Sequence, residues 1–334
     1  MPFLSPRFSR FDRTRLTVEP LDRREHLIDL SSIFPLRPTN HVRESLRNVG
    51  VRVRAAKENG SAVVMMMGGH VLRSGVQRYL IDLIKNGYIS CLAMNGAGII
   101  HDFELALIGA TTESVARYVR DGRFGLWRET GLINDIVNAA AKQDLGLGEA
   151  VGRFIEMEEL PHRNISLLAA AYRFGCPATV HVGIGYDIVH EHPNCDGAAY
   201  GQTSYTDFLR FAKVLESLEG GVTMNFGSAV MAPEVFLKAL TMVRNVMRSE
   251  NRQVRRFTTL VCDLLPLPED FQREAPKDTH GYYFRPWKTM LIRTVADGGE
   301  SFYVKADHSQ TVPELWTAIT QQNRNRGSTG VPSA

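Results

Sequence analysis

The chain has 334 residues, 44% of them hydrophobic, and a formal net charge of +3. Such a composition can bury a large core, and so small a net charge gives no general case for binding nucleic acid or a membrane. No run reaches the ~18 continuous apolar residues of a membrane span, and Met1-Pro-Phe-Leu-Ser5 lacks the start of a signal peptide, so a soluble cytoplasmic protein is expected.

Residues 1–40 carry little periodicity and many arginines and prolines, which predicts an N-terminal arm. Its Arg7, Arg10, Arg13, Arg15, Arg23 and Arg24 interleave with Asp12, Glu19, Asp22 and Glu25, as on a solvated or subunit-contacting surface. A helix is predicted over 41–57, stopped by Asn59-Gly60. The run 62–67 is apolar throughout, as a parallel strand covered on both faces would be. The loop Gly68-Gly69-His70 to Ser74-Gly75 follows, then a helix with Val76, Leu80, Leu83 and Ile84 at helical spacing. A second unit repeats the order: strand 89–94, loop Asn95-Gly96-Ala97-Gly98, and a run holding His101, Asp102 and Glu104. Small residues at the ends of two buried strands leave backbone N–H groups exposed at a helix start, where anions and nucleotide phosphates bind. Neither loop is a strict G-x-G-x-x-G or Walker sequence, so spacing alone names no ligand.

Residues 113–158 read as a helical insertion, with Ile133, Ile136, Val137 and Ala140 on one stripe. No flexible linker flanks them, so 41–321 is expected to form one domain, followed by a disordered tail at 322–334. The alternation resumes with helix 166–174, strand 178–182, helix 205–218, strand 221–226, helix 233–247, strand 257–262, strand 290–294, strand 302–304 and helix 312–321. This repetition predicts an α/β fold with a doubly wound, mainly parallel, Rossmann-like sheet and ligands at the strand carboxyl ends. The loops His181-Val-Gly183-Ile-Gly185-Tyr186-Asp187 and Asn225-Phe-Gly227-Ser228-Ala229 bring the small-residue loops on that edge to four, enough for a nucleotide-sized crevice. The plainer alternative is that each glycine only makes a tight turn.

Cys91, Cys176, Cys195 and Cys262 form no C-x-x-C pair and read as reduced core thiols. His181, Asp187, His190 and His192 offer donor types for zinc, manganese or iron. Their spacing matches no known metal geometry, and no metal is assigned. The other reading is that His70, His101 and Asp187 hydrogen-bond a substrate or a neighbouring subunit. Lys288, beside Trp287, could form an imine with a carbonyl substrate if burial lowered its pKa.

Taken in order, Gly68-Gly-His-Val-Leu-Arg-Ser74-Gly75, Cys91-Leu-Ala-Met-Asn95-Gly-Ala-Gly98 with Asp102, Gly183-Ile-Gly185-Tyr-Asp187, Gly227-Ser228, Trp287-Lys288 and Ala306-Asp307-His-Ser309 resemble deoxyhypusine synthase, over residues ~40–320. The resemblance implies a Rossmann-like homotetramer with active sites at subunit interfaces. It implies NAD-dependent transfer of an aminobutyl or similar group from a polyamine such as spermidine to an amine acceptor, through a lysine imine. Lys288 would be that lysine, with Trp287 beside the polyamine and Asp187 partnering an ammonium. Asp187 and His101 join Lys288 as catalytic candidates. NAD contacts would fall on Gly69, Asn95, Gly96, Ala97, Gly227 and Asp307, with His70, Ser74 and Ser228 in the same loops. The chain departs from the family where Gly68-Gly69-His70 replaces Thr-Ser-Asn and Ile100-His101 replaces an acidic pair. Those departures leave open a metal- or small-ligand-binding enzyme or sensor on the same fold.

Overall fold

The computed structural model describes residues 7–320. In chain order its strands are β1 (Ile28–Asp29), β2 (Val63–Met67), β3 (Cys91–Asn95), β4 (Ala110–Thr111), β5 (Ala178–His181), β6 (Val222–Phe226), β7 (Thr258–Asp263) and β8 (Glu300–Lys305). The helices are α1 (Glu44–Glu58), α2 (His70–Arg73), α3 (Gln77–Lys85), α4 (Gly96–Ile108), α5 (Val115–Arg120), α6 (Leu132–Ala141), α7 (Leu147–Met157), α8 (Leu167–Arg173), α9 (Gly197–Leu215), α10 (Met231–Ser249) and α11 (His308–Thr320). A π-helix spans Pro286–Arg293.

Six strands form one parallel sheet in the order β5-β3-β2-β6-β7-β8. Counting this sheet's strands alone, the order is that of the Rossmann fold, and the chain changes its direction of growth between β2 and β6. The crevice such sheets use for ligands opens at the carboxyl ends of those two strands. β2 shows why its sequence has no polar alternation. Val63, Met65 and Met67 join a core with Leu46, Leu83 and Leu315, whereas Val64 and Met66 join another with Phe236, Leu240 and Met290. Both faces of the strand are covered, so both sets of side chains are apolar.

α4 is the element that builds the site. The Asn95 side chain accepts from the Gly98 N–H at its start, and Gly109 ends it at φ +68°, a left-handed cap that suits glycine. β4 follows at once and pairs antiparallel with β1, Ile28 opposite Thr111 and Asp29 opposite Ala110. The N-terminal segment is thereby docked beside α4. Helices α5, α6 and α7 occupy the predicted insertion.

Three expectations need correction. The run at 290–294 is not a strand but the end of the π-helix, where Trp287, Met290 and Leu291 bury on one side behind Pro286; a short apolar run fits either period. α9 starts at Gly197, well ahead of 205, because the Asp196 carboxylate accepts the N–H groups of Ala198 and Ala199. Arg24 is not a surface charge: it is buried and paired. The expected tail, 322–334, lies outside the described residues. All four cysteines are free and buried. Among the described residues, no helix is long and apolar enough to cross a membrane.

Candidate functional site

The loops after β2, β3 and β6 meet at the switch point because glycine lets them. A Cβ on Gly68 would lie 2.8 Å from the Gly227 carbonyl oxygen, and one on Gly69 would lie 3.1 Å from Ala97 Cβ and His101 Cδ2. Gly227 adopts φ +65°, and the His308 imidazole packs where its side chain would go. His308 is buried against Phe226 at 5.9 Å and His70 at 6.2 Å between ring centroids. Its Nδ1 has no hydrogen-bond partner among the described residues. Burial and then the neighbouring His70 hold it below the ordinary histidine value.

A cavity of about 230 Å³ opens alongside, between the first turns of α4 and the Tyr186–Ile188 segment, with Arg73, Ala97, His101, Glu113 and Asp187 in its walls. Larger hollows of about 510 and 450 Å³ lie between α6 and α7 and beside Pro177, and no carboxyl-edge loop lines either. The Asp187 carboxylate rests on Gly96 at the start of α4, where a Cβ would overlap Oδ2. Burial pushes Asp187 up to about 6. His190 fixes the segment's shape, its Nδ1 accepting from the N–H groups of Gly185 and Asp187. Arg73 is exposed, and its guanidinium has no ion-pair partner among the described residues.

Behind the cavity lies a buried polar chain. Arg24 donates two parallel hydrogen bonds of 2.7 Å to Glu104, a bidentate pair shut away from solvent. Thr130 and Thr111 hydroxyls donate to the same carboxylate at 2.6 and 2.8 Å. Burial raises Glu104, but the Arg24 bonds and charge outweigh it and leave its pKa lowered. Thr111 Oγ1 also lies 2.8 Å from His101 Nδ1. Burial pulls His101 down to about 4, so the ring is neutral near pH 7.

The structure therefore gathers Gly69, His70, Gly96, Ala97, His101, Asp187, Gly227 and His308 around one edge. Asn95 and Ser228 are nearby but are used as caps, of α4 and of the first turn of α10. Ser74 Oγ donates to the His70 carbonyl at the end of α2, and Asp307 accepts from the Ser309 N–H at the start of α11. Trp287 and Lys288 lie between β7 and β8 and do not line the cavity. Trp287 is buried with its indole N–H on the Phe271 carbonyl, and Lys288 Nζ sits 4.1 Å from the Tyr282 ring centroid. The four residues weighed as metal ligands do not converge. His181 bonds Thr179 and packs on Phe211, whereas His192 Nε2 bonds the Gly125 carbonyl. Among the described residues, no three histidine, cysteine or carboxylate side chains group to hold a metal. Sequence reading missed Arg24, Glu104, Thr111 and His308 as parts of the site. Only Glu104, grouped with His101 and Asp102 in a mainly apolar helix, gave a signal.

The family described as arginine dihydrolase ArgZ-like, C-terminal, Rossmann fold, matches residues 47–145, from α1 to just past α6. No curated protein sequence matches the chain. Among solved structures, the ternary complex of AgrE with ornithine and NAD+ aligns at 15% identity and TM-score 0.50, over 82% of this chain and 32% of that one. A conserved putative LOR/SDH protein from Methanococcus maripaludis S2 aligns at 13% identity and TM-score 0.50, over 85% and 71%. A putative deoxyhypusine synthase from Entamoeba histolytica aligns at 9% identity and TM-score 0.45, over 82% and 86%. The chain spans about a third of the length of the ArgZ and AgrE structures it resembles. At these identities the likeness establishes the fold, and the ArgZ-like family match covers the first two β-α units of the sheet.

Proposed function

We propose that this chain is an NAD-dependent enzyme whose substrate is a small amine seated in the cavity under α4. The observation that carries the reading is the juxtaposition, at a Rossmann switch point, of glycine-lined loops with a cavity of about 230 Å³ holding His101 and Asp187. That volume falls below the ~300–1,000 Å³ of drug-sized sites, which favours a small substrate over a dinucleotide in the cavity itself. The dinucleotide would instead lie across the loops carrying Gly69, Gly227 and His308. When bound, it would supply a hydride acceptor. Asp187 would hold the substrate ammonium and Arg73 a carboxylate, an arrangement suited to a diamino acid. AgrE, which shares the fold, has been crystallised with ornithine and NAD+.

Transfer of an aminoalkyl group through Lys288 is the finer version of this reading. Because Lys288 lies outside its own chain's cavity, that version calls for Lys288 of a neighbouring copy, as in a homotetramer. The test is calorimetric titration with NAD+, then NADH formation with ornithine, putrescine and spermidine, with borohydride trapping followed by peptide mass spectrometry. NAD+ binding with amine-dependent NADH supports the reading, and a label on Lys288 supports transfer. A folded protein that binds no NAD+ at millimolar concentration rules both out.

A further inference from the structure

The hydrogen-bond chain behind the cavity dictates which nitrogen of His101 carries its proton. Glu104, ionised and held by Arg24, can only accept. The one proton of the Thr111 hydroxyl therefore goes to Glu104, and Thr111 Oγ1 is left as an acceptor for His101 Nδ1. The proton of the neutral ring sits on Nδ1, and the lone pair is on Nε2. The ring's other edge, Cδ2 with Nε2 beside it, faces Gly69 and the cavity. Nε2 has no hydrogen-bond partner among the described residues. Thr111 is fully buried and Arg24 and Glu104 nearly so, so water does not compete for these bonds.

We propose that His101 is a substrate-contacting residue whose Nε2 accepts a hydrogen bond from the substrate amine, and that Thr111, Glu104 and Arg24 are positioning residues that fix this tautomer. The cavity's walls offer acceptors in His101 Nε2 and the carboxylates of Asp187 and Glu113, and donors in Arg73 and the hydroxyls of Thr112 and Tyr186. A ligand whose amine is methylated at every hydrogen would lose the His101 contact and keep its charge. The proposal rests on the amine-binding reading above, but the tautomer can be tested without any ligand.

The experiment is long-range proton–nitrogen NMR on protein with 15N-labelled histidine, His101 being assigned by the loss of its signals in His101→Gln. Wild type and Thr111→Ser are expected to show Nδ1 protonated and Nε2 bare, whereas Thr111→Val gives a mixture of tautomers. Titration with ornithine and putrescine should give about tenfold weaker binding in Thr111→Val, with Thr111→Ser near wild type, the size expected for one lost bond to a charged donor. Wild-type His101 protonated on Nε2 would overturn the assignment of the chain. Thr111→Val with unchanged tautomer and unchanged affinity would overturn the positioning role. If the tautomer is as stated but no amine binds while NAD+ does, the substrate contact fails and the dinucleotide reading stands. Circular dichroism screens Thr111→Val for folding, and Thr111→Ala, which also lacks the hydroxyl, carries the test should that variant not fold.

Discussion

Gly96 has no side chain at the place where the Asp187 carboxylate rests, and a Cβ there would overlap Oδ2. The absence of one atom at the start of α4 thus seats the acid that walls the cavity. Gly96→Ala is expected to expel Asp187 from this position and destabilise the fold by about 1–3 kcal/mol, the range for overpacking a tight site. Urea denaturation checks the stability, and amine titration should show binding lost. A variant as stable as wild type with intact amine affinity would contradict the packing described.

The raised pKa of Asp187 fixes a pH dependence. Its folded value, about 6, lies above the ordinary carboxylate value of 3.8, so the folded state binds its proton more tightly than the unfolded chain does. Stability from this group is therefore full below pH 4 and declines as pH rises through 6. Asp187→Asn should remove that decline and be more stable than wild type at pH 7, by about 1–3 kcal/mol. Amine affinity should run the opposite way, rising in wild type as pH passes 6 and staying flat and weak in the variant. Thermal melts and titrations between pH 5 and 8 read both.

His101 sets a slope of the other sign. Its value falls from 6.5 to about 4 on folding, so its contribution is complete above 6.5 and is lost as pH drops toward 4. His101→Gln should flatten that part of the acid limb of the stability curve, in measurements at low and high salt.

Glu104→Gln should be among the most damaging single changes. It leaves the buried Arg24 charge without its partner, a loss of about 3–5 kcal/mol for a buried pair broken on one side. Replacing both residues together, as Arg24→Met with Glu104→Leu, should cost less than Glu104→Gln alone. A double-mutant cycle by denaturant unfolding decides this, and a double variant worse than the single would refute it.

Gly227→Ala combines a left-handed φ of +65° with the encroaching His308 ring. The expected loss is about 1–2 kcal/mol for the backbone conformation alone. The further loss against His308 should be recovered by His308→Ala in the same chain. Non-additive melting temperatures are the signature.

The sheet was legible because β2 and β3 bury both faces and leave short, unbroken apolar runs between small-residue loops. The π-helix was not: its buried Trp287, Met290 and Leu291 fall in a segment too short for periodicity to separate helix from strand. The loop glycines could be found by eye, but their purpose could not. Gly68 faces a carbonyl and Gly96 a carboxylate, contacts made by loops distant in sequence. The relay was harder still. Arg24 looked like one arginine among many in a charged arm, and only the fold brings it to Glu104, 80 residues on. Lys288 stood out by its chemistry and its resemblance, yet the fold seats it over Tyr282, away from the cavity.

The short pairing of β1 with β4 joins Ile28 to Thr111, placing the segment that carries Arg24 beside the strand that carries the hydroxyl under His101. The cavity is consequently a composite, with its rear wall supplied by a stretch of chain that precedes the first strand of the large sheet. Detaching that stretch, by a protease cut in the 34–41 connection or by competition with a peptide of the same sequence, would strip Glu104 of its cation and loosen the imidazole without touching the sheet. Whatever governs the seating of those early residues would act as a dial on the cavity's affinity, set from outside the crevice.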